Sequence, residues 1–404
     1  MRAFGWMVAA IGGVVCWCAS SSECRALTLE EALARARARA PDVIAARHVL
    51  AEARGELTSA EVPLRANPLL EAQAGPRYTV DGEWILQLAV GIEQTFELSG
   101  ARDARIDAAR ARIDAADAEV ADVARVLSAE VAARYLAALA ARDRAALSEA
   151  GVALLGAMLG VIVRRVDAGD ASIIDARRVE LARAAAVSER DDARAAMRRE
   201  LGALRLLLGA ASEEPLEVEG DLATLAVASD GALDGERADV AAARAREREA
   251  RARVRIAEAL AVPELIAGLS YQLEEGDHMG LVTLGVTLPV FDDGRGEREQ
   301  ARARHEAARA ELERRESTVA VQIATAREAY RAALDALTAS VDSARSADEV
   351  EALVARAWEA GELPVGDVLV ARREVVEARA QLLSRARDAA LARTTLEAAI
   401  GGAR

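Results

Sequence analysis

The chain has 404 residues, 52% apolar but only 3% aromatic, with 29% charged and a formal net charge of −14. Alanine and arginine dominate and proline is scarce, a composition of long helices and not of a compact α/β enzyme. The acidic balance argues against binding to a nucleic-acid backbone, and so few aromatic rings supply little for an ordinary globular core.

The chain opens with MRAFGWMVAAIGGVVCWCASSSECRA. Arg2 gives a positive start, residues 3–19 are mostly apolar and small residues follow, so residues 1–26 are expected to be a secretory signal peptide. A cut after Ala26 removes Cys16, Cys18 and Cys24 and leaves no disulfide framework. Val15, Trp17 and Glu23 precede those cysteines, where a lipoprotein would carry a small residue. No later run reaches the ~18 uncharged apolar residues of a membrane helix, so any crossing must be made by strands.

Thr28 to Glu31 reads TLEE, a capping box that opens the first helix. The helical pattern resumes after Pro41 and continues to about Glu61, where Pro63 and Pro68 end it. Residues 69–78 and 84–92 then alternate with period two. In the second run Trp84, Leu86, Leu88, Val90 and Ile92 share one face, while Ile85, Gln87, Ala89 and Gly91 share the other. Residues 101–167 follow with no proline and only Gly151, Gly156 and Gly160 as weak points, a predicted helix of about 100 Å. Ile106, Ile113, Val120 and Leu127 recur at coiled-coil spacing along it.

VDAGDASIID at 166–175 interrupts this pattern. Gly169 is expected to cap the long helix in the left-handed conformation, with Ser172 and Asp175 starting a returning helix as S-x-x-D. WEAGELPVGD at 358–367 repeats the arrangement, with Gly361 as the cap, Pro364 in the first turn and Asp367 near the positive helix end.

Other features repeat at nearly the same offset. ARYLAAL matches EAYRAAL, placing Tyr135 against Tyr330, and Pro68 against Pro263, both 195 residues apart. Gly100 matches Gly294, and Gly361 follows Gly169 by 192. The chain is therefore a tandem duplication, expected as repeat 1 over 27–209, a linker over 210–236 and repeat 2 over 237–404. Each repeat is ordered helix, two strands, very long helix, hairpin, helix. In repeat 2, Leu265, Ala267, Leu269 and Tyr271 and then Val282, Leu284, Val286 and Leu288 form the apolar face. Gly268, Ser270, Gln272, Thr283, Gly285 and Thr287 form the other. Residues 297–360 are the second long helix, with Ile323, Tyr330 and Leu337 spaced by seven.

The fold class is mainly α with a small β part. Four strands of membrane length cannot close a barrel alone, and open edges do not survive in lipid. The strands form either a soluble sheet buried on one face or part of a barrel shared among several chains. The export signal and the lack of a covering core favour the barrel. Among side chains that carry chemistry there are only three histidines, His48, His278 and His305, none at metal-ligand spacing to another His or Cys. His278 is expected in a surface loop between the repeat 2 strands. There is no phosphate-binding loop or nucleophile motif, so neither a catalytic site nor a cofactor is expected.

The mature start LTLEEAL, the junctions QTFELSGAR (94–102) and LPVFDDGRG (288–296), and the paired AGD and AGE hairpins resemble the TolC family of outer-membrane efflux proteins. The junctions look most like the branch serving cobalt–zinc–cadmium exporters. The resemblance implies a homotrimer whose chains pool four strands each into a twelve-stranded barrel in the outer membrane of a Gram-negative bacterium. The helices continue it as a coiled-coil tunnel into the periplasm, with the 210–236 linker wrapped outside the shaft near its middle. It implies a passive duct joined by a periplasmic adaptor to an inner-membrane pump, of the RND type and moving metal cations on that branch.

The membrane-facing strand residues would be Trp84, Leu86, Leu88, Val90, Val282, Leu284 and Val286. The adaptor would meet the hairpin tips at Gly169, Asp170, Ser172, Gly361, Glu362 and Leu363. By match to the family's motif, Asp367 would belong to an acidic ring at the constriction and Trp358 would help hold the entrance closed. Trp358 reads equally as a packing residue, and Asp175 as either a cap or a gate residue. Leu363 stands where the family carries a basic partner for that aspartate, and Val370 where it carries a second acid, so the gate departs from the family's pattern. The competing class is a secreted, alanine-rich coiled-coil scaffold whose strands form a soluble clamp.

Overall fold

The computed structural model describes residues 26–78, 80–211, 214–227, 236–274 and 277–401. Residues 1–25 of the expected signal peptide, with all three cysteines, lie outside the described residues.

Repeat 1 begins with α1 (Leu29–Arg39) and α2 (Pro41–Ala60). The Thr28 hydroxyl accepts from the Glu31 amide at 3.3 Å, and the Glu31 carboxylate accepts from the Thr28 amide at 3.1 Å. That is the full capping box, satisfying two amides the helix start would otherwise leave bare. Ala40 has extended backbone and Pro41 occupies the first position of α2, so the chain kinks there and continues. Strands β1 (Leu69–Tyr78) and β2 (Trp84–Glu97) precede α3 (Ala101–Asp167), an unbroken helix of 67 residues, and α4 (Ile173–Leu208) returns along it. A single turn of helix, α5 (Leu222–Ala226), lies in the linker. Repeat 2 follows as α6 (Ala238–Ala259), β3 (Glu264–Glu274), β4 (Asp277–Thr287), α7 (Arg295–Glu359) and α8 (Val365–Ile400).

The four strands form one antiparallel sheet in the order β1-β2-β3-β4. Its register carries each face continuously across both repeats. Leu70 pairs with Ile92, Ile92 with Leu269 and Leu269 with Val282, one apolar tier running through all four strands. Ala72, Val90, Tyr271 and Gly280 make the next. The opposite face carries Glu71, Gly91, Ser270 and Leu281 in one tier and Gln73, Ala89, Gln272 and Met279 in another. His278 is not in a loop as expected. It lies in β4 opposite Leu273, because β4 already begins at Asp277 and its ladder to β3 takes in the charged residues.

The shaft is held largely by alanine. In α3, Ala104, Ala108, Ala111, Ala115, Ala132 and Ala138 are all buried, which lets neighbouring axes approach closely. The larger core lies near mid-shaft, where Val131, Tyr135, Leu136 and Leu139 of α3 meet Leu204 and Leu208 of α4 and Ala386, Ala389 and Ala390 of α8. The heptad residues Ile113 and Val120 pack onto Leu50 and Ala53 of α2. Many arginines pair along the exposed surface, as Arg255 does with Asp107 at 2.9 Å and Arg248 with Asp114 at 3.0 Å, and such pairs contribute little. α3 also contains an 18-residue window of mean hydropathy 2.0, only 17% buried. It is long and apolar enough to cross a membrane by length and composition alone, yet it is continuous with the rest of the shaft.

The tyrosines matched by the duplication both fasten the linker. The Tyr135 hydroxyl, fully buried, donates to the Leu27 carbonyl at 2.8 Å and also bonds the Glu219 carbonyl. Tyr330 donates to the Ala226 carbonyl at 2.8 Å. Arg142 adds bonds to the Val218 and Gly220 carbonyls at 2.8 and 3.0 Å, and Arg393 one to Leu225 at 2.6 Å. Leu27 itself pairs with Val218 as an isolated parallel bridge. The described part of the linker is thus tied to the middle of the shaft by its own backbone carbonyls. The aligned glycines at the strand–helix junctions differ. Gly294 has φ +71° and a side chain there would meet Leu260 at 2.9 Å, whereas Gly100 has an ordinary φ of −75° and open space around it.

Candidate functional site: hairpin tips and sheet faces

At the first tip the Gly169 amide bonds the Val166 carbonyl at 3.0 Å and the Asp170 amide bonds the Arg165 carbonyl at 2.8 Å, with Gly169 at φ +83°. At the second, Gly361 bonds Trp358 at 3.1 Å and Glu362 bonds Ala357 at 2.8 Å, with Gly361 at φ +78°. Both are complete Schellman caps, which need a residue free to adopt positive φ. Valine at either glycine places a β-branched side chain in left-handed backbone, costing upwards of ~1–2 kcal/mol per copy. Gly169→Val and Gly361→Val are expected to depress export in a complementation assay while leaving the amount of protein in the outer-membrane fraction unchanged. Normal transport by both would mean that the tips dock no partner.

The helix starts differ in detail from the S-x-x-D and first-turn proline expectations. The Ser172 hydroxyl accepts from the Ile174 amide at 3.1 Å, and Asp175 reaches Ser172 only through its backbone, 3.0 Å to the carbonyl. Pro364 is the cap residue of α8 itself, with extended backbone, and helix begins at Val365.

The two hairpins of one chain share an apolar core. Met158 and Ile162 of α3, Ala176 and Val179 of α4 and Val365 and Val368 of α8 are buried together, with Trp358 and Leu363 packed against them. Leu363 therefore joins the core at the place where a charged partner for Asp175 was ruled out. Asp175 is half-buried and, among the described residues, makes no ion pair. Asp367 lies on the opposite side of α8 from Val365 and Val368, exposed together with Val370. The guanidinium of Arg165 lies over the Trp358 ring, 4.9 Å from its centroid. The sequence gives no hint of that contact, since its partners are far apart in the chain.

The sheet lies at the other end of the shaft. On its apolar face Trp84, Leu86, Val282 and Leu284 are 63–74% exposed among the described residues. The Tyr78 and Trp84 rings meet at 5.1 Å near the first hairpin turn, and Tyr271 bonds the His278 ring on the same face. The other face is mainly polar, with Met279 and Leu281 of β4 as apolar exceptions: Gln73 donates to Glu71 at 2.8 Å, and Arg77 pairs with Glu274. Glu93 lies across Gly268, where an added Cβ would come within 2.8 Å of its side chain.

A helical shaft bearing a sheet with two chemically opposed faces is built as part of a wall, with no chemistry gathered at one point. The chain belongs to the outer membrane efflux protein family, whose pattern matches residues 32–210 and 232–402, one match in each repeat. It is 27% identical over 320 residues, 76% of this chain and 75% of the relative, to the cobalt-zinc-cadmium resistance protein CzcC of Cupriavidus metallidurans. Among solved structures, the outer membrane protein VceC of Vibrio cholerae matches at TM-score 0.74 with 20% identity, covering 93% of this chain and 96% of that one. CusC, described for its transmembrane channel formation, matches at TM-score 0.75 with 16% identity, covering 93% and 92%. The family is one of efflux channels and not of enzymes, so the scaffold reading falls.

Proposed function

We propose that the protein is the outer-membrane exit duct of a tripartite efflux system. Three copies pool their strands into a twelve-stranded barrel, and their helices continue the bore through the periplasm. The tips meet a periplasmic adaptor, and an inner-membrane pump of the RND type drives the cargo. The observation that carries this reading is the open four-stranded sheet, apolar on one face and mainly polar on the other, with β1 and β4 as edges that no described strand pairs. Such edges must be paired in lipid, and only further copies offer matching strands. The apolar tiers then face lipid, and Glu71, Gln73, Gln272 and Thr283 face water.

At the far end Asp367 lines the constriction, Trp358 holds it closed and Asp175 stands beside it. Gly169, Asp170, Ser172, Gly361, Glu362 and Leu363 form the adaptor-facing tips. The repeats are taken as 27–209 and 237–404, joined by 210–236.

Heavy-metal cations are the proposed cargo, supported by the similarity to a cobalt-zinc-cadmium resistance protein. Two measurements test this. The protein should remain with outer membranes after alkaline carbonate extraction, and its release would defeat the duct. A deletion strain should become sensitive to cobalt, zinc or cadmium. Unchanged metal tolerance with a new sensitivity to organic compounds would replace the cargo while leaving the duct.

A further inference from the structure

The paired caps hold two particular side chains. The carbonyl of Arg165 accepts the outer bond of the first cap, and that of Trp358 accepts the inner bond of the second. Each residue is therefore fixed in the last turn of its helix by the cap of its own hairpin, Arg165 through the Asp170 amide and Trp358 through the Gly361 amide. From those two anchors the side chains meet between hairpins, guanidinium over indole at 4.9 Å, both half-buried. Arg165 is also well placed electrostatically, since a cation in the last turn of a helix is favoured by the helix dipole. Beneath them lies the apolar core shared by α3, α4, α7 and α8.

We propose that Arg165 and Trp358 form a cation–π latch that keeps the two hairpins of each chain together and so holds the entrance closed. This rests on the duct reading, and deepens it by naming the contact that opening must break or carry along. An ion pair is not needed at this gate, because Leu363 contributes to the core below the latch while the guanidinium–indole contact closes it above. Partial burial strengthens such a contact relative to an exposed one, since less water competes for the guanidinium.

The test is conduction by the full-length protein reconstituted in planar lipid bilayers. Arg165→Gln and Trp358→Leu should each raise the conducting fraction by roughly 2- to 30-fold per latch lost, the range that a cation–π contact commands. The double variant should conduct no more than the stronger single one, because both remove the same contact. Arg165→Lys should stay close to the parent protein, since an ammonium also binds the ring face. Multiplying effects in the double variant overturn the latch. So does equal conduction by Arg165→Gln and Arg165→Lys, a comparison that decides the matter even if Trp358→Leu fails to assemble. Silence of the parent and of every variant at all voltages defeats the duct reading and the latch together. A conducting parent matched by Arg165→Gln defeats the latch alone.

Discussion

Val90→Arg is expected to keep the protein out of the outer membrane, while Ala89→Arg at the next residue is expected to let it in. Val90 sits in the middle apolar tier of the sheet, level with Ala72, Tyr271 and Gly280. A guanidinium on the lipid side near the bilayer midplane costs about 2–4 kcal/mol per chain, and the proposed threefold assembly would bear that cost three times. Ala89 pairs with Gln73 and Gln272 on the polar face, where an added charge meets water and changes only what the bore conducts. Immunoblots of carbonate-washed outer membranes measure both. Equal insertion of the two variants would mean that the apolar face is not against lipid.

The second large effect is expected at Arg237→Met. Arg237 holds Asp239 through two bonds of 2.7 Å, with both side chains only 7% exposed. It also donates to Gln322 at 2.7 Å and to the Ala399 carbonyl at 3.3 Å, while Arg125 donates to the Ala398 carbonyl at 2.9 Å. The network thus ties the start of α6 to α7 and to the last turn of α8. Methionine leaves Asp239 buried with the Val240 amide at 3.0 Å and the longer approach of Arg315 at 3.7 Å, a loss of about 3–5 kcal/mol. Replacing both partners, Arg237→Met with Asp239→Leu, should restore most of it, since an apolar pair carries no stranded charge. Thermal unfolding in detergent, followed by circular dichroism, distinguishes the two.

Acid should act through the same pair. The bonds from Arg237 hold the Asp239 carboxyl below its ordinary value, against the opposing effect of burial. Its contribution is therefore present above the unfolded aspartate value of about 3.9 and is lost as pH falls through the lower folded value. The doubly replaced variant should lack that part of the acid sensitivity. An identical acid response would remove Asp239 as its cause.

What could be read from the sequence was what repeats locally. The alternation at 84–92 located a strand and its two faces, and the glycines at 169 and 361 marked both caps, because period and backbone freedom belong to neighbouring residues. The match of Tyr135 to Tyr330 revealed the duplication, yet only the folded chain shows that both hydroxyls bind the linker. Distance in the chain hid the rest. Arg165 and Trp358 have no common pattern, and the Arg237–Asp239 pair looks like any of the charge pairs on the shaft. It is buried because Gln322 and the end of α8 close over it from far along the chain. The charged residues around His278 look like a loop until the strand register is known.

The unpaired margins of the sheet bear on the order of events in assembly. A solitary chain reaching the bilayer would expose the bare amides and carbonyls of β1 and β4 to hydrocarbon. In the proposed trimer, association and insertion would then be coupled in one kinetic step. The rate of membrane entry should rise steeply with the concentration of chains waiting in the periplasm, and the waiting chain, with sticky borders, is the form that a chaperone would have to shield.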